Sequence, residues 1–97
     1  MWMIVNRGLL SVVEDREDST RLIVRARQDG LLEDLIREAD IDVKVFTDEY
    51  ADYPNRAIMS RLQLTELLYD SVLKIDYPNF KNSVKDSRLR LLLHETW

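Results

Sequence analysis

The tetrapeptide Asp-Tyr-Pro-Asn occurs twice, as Asp52-Tyr53-Pro54-Asn55 and Asp76-Tyr77-Pro78-Asn79, and these copies hold both prolines of the chain. Each copy presents a carboxylate, a phenol and an amide within one tight corner. The proline fixes its own φ and pushes the tyrosine before it toward extended backbone. The asparagine closes a turn. Arg56 and Lys81 lie just beyond the two copies, so Asp52, Tyr53, Arg56, Asp76, Tyr77, Asn79 and Lys81 form a candidate set for binding a polar ligand or a partner. Paired carboxylates from the two corners could also do acid–base work if the fold brings them together. The competing reading is structural: each Asp caps a turn, each Tyr covers the edge of the core, and Arg56 pairs with an Asp.

Other chemistries find less support. The chain has no cysteine, which excludes disulfides, thiolate metal sites and a Cys nucleophile. The lone His94 has neither Cys partners nor a second His at helical spacing, so no zinc site and no cofactor is expected. No Gly-x-Ser-x-Gly elbow or phosphate-cradling glycine loop is present, and no catalytic residue can be named. Asp48, Glu49 and Asp52 lie close enough to hold a hard cation but miss the spacing of a calcium loop. Arg21, Arg25 and Arg27 fall on one face of a strand and could contact phosphates. That strand carries no stacking aromatic, so acids of neighbouring elements (Glu14, Asp42, the 15–18 turn) are the expected partners, and nucleic acid is not.

Charge is segregated along the chain. The 97 residues carry a formal net charge of -4. Residues 29–52 hold nine acids and two bases, and the rest is net basic. The acidic middle suits a basic protein partner, with Glu33, Asp34, Asp48 and Glu49 as its surface. The alternative is an ordinary solvated helix face with polar loops.

The elements that position these groups follow from periodicity. Residues 2–5 and 9–13 read as a hairpin, with Gly8 available for a positive φ in its turn. Residues 20–27 alternate, with Leu22, Val24 and Ala26 toward a core and Arg21, Ile23, Arg25 and Arg27 away from it. Asp29 is a helix N-cap, and Leu31, Leu32, Leu35, Ile36 and Ala39 form the stripe behind it. Residues 41–46 alternate again, and residues 56–59 are extended. Ser60 and Gln63 match a capping box for a helix over 61–74, with Leu62, Leu67, Leu68, Val72 and Leu73 inward. Asp76 and Pro78 suit the start of a short helix packing Phe80 and Val84. Asp86 or Ser87 caps a last helix bearing Leu89, Leu92, Leu93 and Trp97, whose leucines serve either the core or a homodimer.

This order implies an α+β fold: one small domain over 1–97, a mainly antiparallel sheet of four to five strands, and helices packed on one face. If the 61–74 helix folds back along the 56–59 strand, both corners reach one end of the domain, and Arg56 reaches Asp52 or Asp76.

Met1-Trp2, Val24-Arg25-Ala26-Arg27, the Asp52-Tyr53 corner with Arg56, and Asp76-Tyr77-Pro78-Asn79-Phe80-Lys81 taken together resemble a group of small uncharacterised bacterial proteins. These begin Met-Trp and carry a Val-Arg-Ala-Arg strand and an Asp-Tyr-x-Asn-Phe-Lys motif. The resemblance implies no activity, and residues 89–93 are more leucine-rich than its pattern.

The function expected from the sequence is a non-catalytic protein-binding module, cytoplasmic and without a membrane span, acting as an inhibitor or regulator. An anti-defence or immunity-type inhibitor is one version, by analogy only. The alternatives are a small-ligand or nucleotide-binding protein using the two corners, and a nucleic-acid binder using the arginine-bearing sheet face.

Overall fold

The computed structural model describes residues 1–93. Strands β1 (Trp2–Val5), β2 (Gly8–Glu14) and β3 (Arg21–Ala26) form a meander, followed by helix α1 (Leu31–Ala39). Then come strands β4 (Val45–Thr47) and β5 (Asn55–Ser60), and helices α2 (Arg61–Leu73), α3 (Phe80–Ser83) and α4 (Ser87–Leu93). All neighbouring strands are antiparallel, and the order across the five-stranded sheet is β1-β2-β3-β5-β4. This is the α+β architecture expected. The segment read only as extended, β5, is an interior strand, paired to β3 on one side and β4 on the other.

Period-2 alternation decides which side of the sheet is dry. Leu10, Val12, Leu22, Val24, Ala26, Ala57 and Met59 are buried and pack with Leu31, Leu32, Leu35 and Ile36 of α1 and Leu64 and Leu67 of α2. Each of the larger aliphatic side chains contributes about 1.5–3 kcal/mol on burial. Ile41, Val43 and Val45 pack against this core as the alternation of 41–46 implied, but only Val45–Thr47 is paired as a strand.

Local signals hold in some places and yield in others. The Ser60 hydroxyl accepts from the Gln63 N–H (3.1 Å), and the Gln63 side chain accepts in return from the Ser60 N–H (2.9 Å). Two caps differ from expectation. Helix α1 starts from Gly30 in the left-handed region (φ 84), without a side-chain cap, because Asp29 instead accepts a hydrogen bond from Asn55. Helix α3 is capped by Asn79, not Asp76, through the Asn82 N–H (3.0 Å). Asp86 does cap α4, accepting from the N–H groups of Arg88 and Leu89.

Gly8 is close-packed for a reason other than backbone sign. A Cβ on it would lie 2.5 Å from Leu31 and 2.7 Å from the Gln28 side chain, so it permits close approach of β2 to the start of α1. Gly30 is the glycine with positive φ.

The leucines of α2 are distributed differently from the expected inward set. Leu64 and Leu67 are buried, while Leu62, Val72 and Leu73 are exposed. Apolar residues occur on most sides of this helix, so spacing alone could not choose the buried stripe. In the C-terminal segment Leu89 and Leu93 pack with Val84 and Phe80 in a second, smaller cluster, and Leu92 is exposed. The expectations for His94 and Trp97 lie outside the described residues.

Candidate functional site

One continuous row of residues crosses all five strands on the side away from α1 and α2. Register places Trp2 opposite Ser11, Ser11 opposite Arg25, Arg25 opposite Arg56, and Arg56 opposite Phe46. Parallel to it runs an aliphatic row, Val13–Ile23–Ile58. Parity puts Ile4 on the same side, at the β1 edge, where it also lines a cleft next to the second corner. Trp2 is 72% exposed, Phe46 45%, Ile4 43% and Val13 39%. A monomer seldom leaves so many neighbouring large apolar groups wet on one face without a use for them.

The first tetrapeptide corner sits at one end of this face. The Tyr53 ring lies 4.7 Å from the Arg27 guanidinium carbon and 5.4 Å from that of Arg25. Arg27 Nε donates to the Asp52 carbonyl (3.2 Å), and Arg56 Nε donates to the Tyr53 carbonyl (3.2 Å). Thus Arg56 reaches the corner, but through a main-chain oxygen instead of a carboxylate. Strand register turns its side chain onto the open face, beside Arg25. Arg25 Nη2 donates to the buried Ser11 hydroxyl (2.7 Å). Asn55 is buried at the start of β5, donating to the Gln28 carbonyl (3.3 Å) and to the Asp29 carboxylate (3.0 Å). These bonds tie the corner to the segment leading into α1.

The second corner has other neighbours. Asp76 and Tyr77 line an open cleft of about 850 Å³ between the β1–β2 turn, α1, α2 and the segment before α4. Glu38 bridges two cations there, Arg7 at 2.8 Å and Lys74 at 3.7 Å. Tyr77 packs edge-on to Phe80, with centroids 6.1 Å apart. Helix α2 therefore does return toward the β1–β2 turn, and both corners lie at that end of the domain. Their contacts do not overlap: among the described residues, none of 52–56 lines the cleft. Asn79 is spent on the α3 cap, and Lys81 is exposed on that helix.

The arginine strand is paired as expected at one end only. Arg21 meets Asp15 (2.8 Å) and Asp18 (3.5 Å) of the 15–18 turn. Glu14 pairs with Arg61 (2.7 Å), leaving Arg25 and Arg27 with no carboxylate partner among the described residues. Asp18 also accepts from the Thr20 hydroxyl and N–H, and these bonds, with Arg21 nearby, hold its carboxyl below the ordinary carboxylate range.

The acidic middle is divided between layers. Glu33 and Asp34 occupy the first turn of α1, where Asp34 pairs with Arg37 (2.9 Å). Asp48 and Glu49 lie in the β4–β5 loop, where Asp48 accepts from the Tyr50 N–H (3.3 Å). Asp48, Glu49 and Asp52 do not converge into a cation site, and no cluster of three or more candidate metal ligands occurs among the described residues.

What sequence reading missed is the aromatic complement of the arginine row. Trp2 and Phe46 come from the two edge strands, and Tyr53 comes from a loop. The only signal for Phe46 was its parity, opposite to Ile41, Val43 and Val45. Among the described residues no helix is long and apolar enough to cross a membrane. The chain matches no family model, no curated protein and no solved structure in the comparisons made.

Proposed function

We propose that this chain is a non-catalytic binding module that docks an acidic protein partner on the uncovered face of its sheet. The observation that carries the reading is the composition of that face. Exposed apolar residues surround Arg25, Arg27 and Arg56, three cations without carboxylate partners among the described residues. Apolar contact supplies affinity, and unpaired cations supply orientation and rejection of basic surfaces. The aliphatic row Val13–Ile23–Ile58 favours protein over nucleic acid, whose interfaces are more polar and more strongly basic.

The test compares capture by the wild-type chain with capture by Ile58→Glu on the open face and by Leu62→Glu on the exposed side of α2. Melting curves confirm that both variants fold. Loss of a captured protein with Ile58→Glu and its retention with Leu62→Glu supports the reading. Equal capture by both variants removes it.

A second reading is favoured by Trp2 and Phe46, which flank the arginine row as potential stacking platforms for single-stranded nucleic acid. Nuclease-sensitive capture, with affinity falling steeply as salt rises, would select it over a protein partner.

A further inference from the structure

We infer that Arg25, Arg27 and Arg56, gathered around Tyr53, form a binding site for a phosphate monoester dianion. Arg7, Arg21, Arg37 and Arg61 each have a carboxylate within 2.9 Å. The three arginines at Tyr53 have none among the described residues, and the carboxylate of Asp52 itself pairs with none of them. Arg25 and Arg56 are direct cross-strand neighbours, an arrangement of like charges that destabilises a sheet. The buried Nε–H of Arg25 has no acceptor. Buried donors in folded proteins are nearly always satisfied, so Arg25 remains short of an acceptor, a need that an anion settling on this cluster would help to meet.

The geometry is also prepared in advance. Arg27 and Arg56 spend their Nε–H groups on the carbonyls of Asp52 and Tyr53, which fixes each guanidinium and leaves its terminal N–H groups for a ligand. The Tyr53 ring packs against the guanidiniums of both Arg25 and Arg27 and restrains them. Ordering these side chains before binding lowers the entropy lost on binding. Charge selects the class of ligand. A carboxylate or a phosphodiester offers one negative charge to three cations, whereas a phosphate monoester carries about -1.5 to -2 and three acceptor oxygens. Clustered arginines suit such a group through paired N–H donors. The monoester can belong to a phosphorylated side chain or to a small phosphorylated metabolite. The site shares its three arginines with the proposed docking face, but a small anion titrated onto the chain alone tests it separately, so failure of either reading leaves the other standing.

The experiment titrates the full chain, at neutral pH and low salt, with methyl phosphate, dimethyl phosphate or acetate, and follows arginine Nε–H and tyrosine ring signals by NMR. Methyl phosphate is expected to shift Arg25, Arg27, Arg56 and Tyr53 saturably, with dimethyl phosphate and acetate at least about tenfold weaker. Acidification below the second phosphate ionisation should weaken methyl phosphate binding. Arg27→Gln with Arg56→Gln should abolish the saturable shift, while the loss of two hydrogen bonds to the corner is offset in part by relief of the like-charge pair Arg25–Arg56, so the chain should still melt cooperatively. Comparison of a phosphoserine peptide with a sugar phosphate then identifies the source, the tighter of the two being the native class. Shifts that do not saturate, an equal response to dimethyl phosphate or acetate, or equal shifts at Arg7 and Arg61 would overturn the assignment. The comparison of ligands on the wild-type chain holds even if the double variant fails to fold.

Discussion

The two Asp-Tyr-Pro-Asn corners share every residue and almost nothing else. At the first, Asn55 is buried and braces the entry to α1, while Tyr53 lies against two guanidiniums and two carbonyls of the corner accept from arginines. At the second, Asn79 caps a four-residue helix and Tyr77 leans on Phe80 at the lip of an open cleft. The difference comes from the secondary structure that each corner leads into. The first opens an interior strand, whose ladder fixes Asn55 opposite Ala26 and Thr47. The second opens a short helix on the outside of the domain. A local motif therefore sets the bend, and the element after it decides whether its side chains become part of a rigid site.

The largest effect is expected where the first corner is anchored. Gly8 abuts Gln28, whose carbonyl accepts from Asn55, and Leu31 of α1. Gln28 can turn aside, but Leu31 is buried, so Gly8→Ala should cost up to about 1–3 kcal/mol through overpacking, seen as a lowered urea midpoint with an unchanged m value. A neutral result would mean that this junction yields easily, and the first corner would then be no firmer than the second.

Replacing the two asparagines sharpens the contrast directly. Asn55→Ala removes buried donors and should cost about 1–2 kcal/mol. Asn79→Ala removes an exposed cap and should cost about 0.5–1 kcal/mol, with loss confined to the C-terminal segment. Thermal melts of the pair check the order, and a larger effect at Asn79 would reverse the comparison.

The smallest effect concerns acid. The Asp18 carboxyl is held below its unfolded value chiefly by the Thr20 hydroxyl, then by the Thr20 N–H, with Arg21 adding and desolvation opposing. A depressed carboxyl stabilises the fold above its unfolded pKa and loses that contribution as pH falls through the folded value. Asp18→Asn should therefore leave melting at strongly acidic pH nearly unchanged and lower it slightly at neutral pH. This turn lies at the Ser60 end of β3, away from both corners, so neither Asn55→Ala nor Asn79→Ala should alter that pH dependence.

Legibility in the sequence tracked the range of the interaction. The alternation of β3, the Ser60–Gln63 capping box and the α1 stripe are set within one turn or one strand, and each was readable from its own residues. The N-cap role of Asp29 was not realised because Asn55, 26 residues away, recruits its carboxylate. The buried choice of Leu64 over Leu62 was hidden because α2 is apolar on most sides. The row Trp2–Ser11–Arg25–Arg56–Phe46 was least accessible. It needs the register of four strand pairs and the insertion of β5 between β3 and β4, and its members are scattered from the first strand to the last. Arg25 and Arg27 were legible as one row and Arg56 as a neighbour of Tyr53, but not the meeting of the two groups at Tyr53.

If the uncovered sheet face is the surface this chain uses, a photo-crosslinking residue at position 58 should trap the captured partner in high yield, with background yields from the outer side of α2 at 62 and from the second corner at 77. Crosslinking concentrated at 62 or 77, with none at 58, would contradict it.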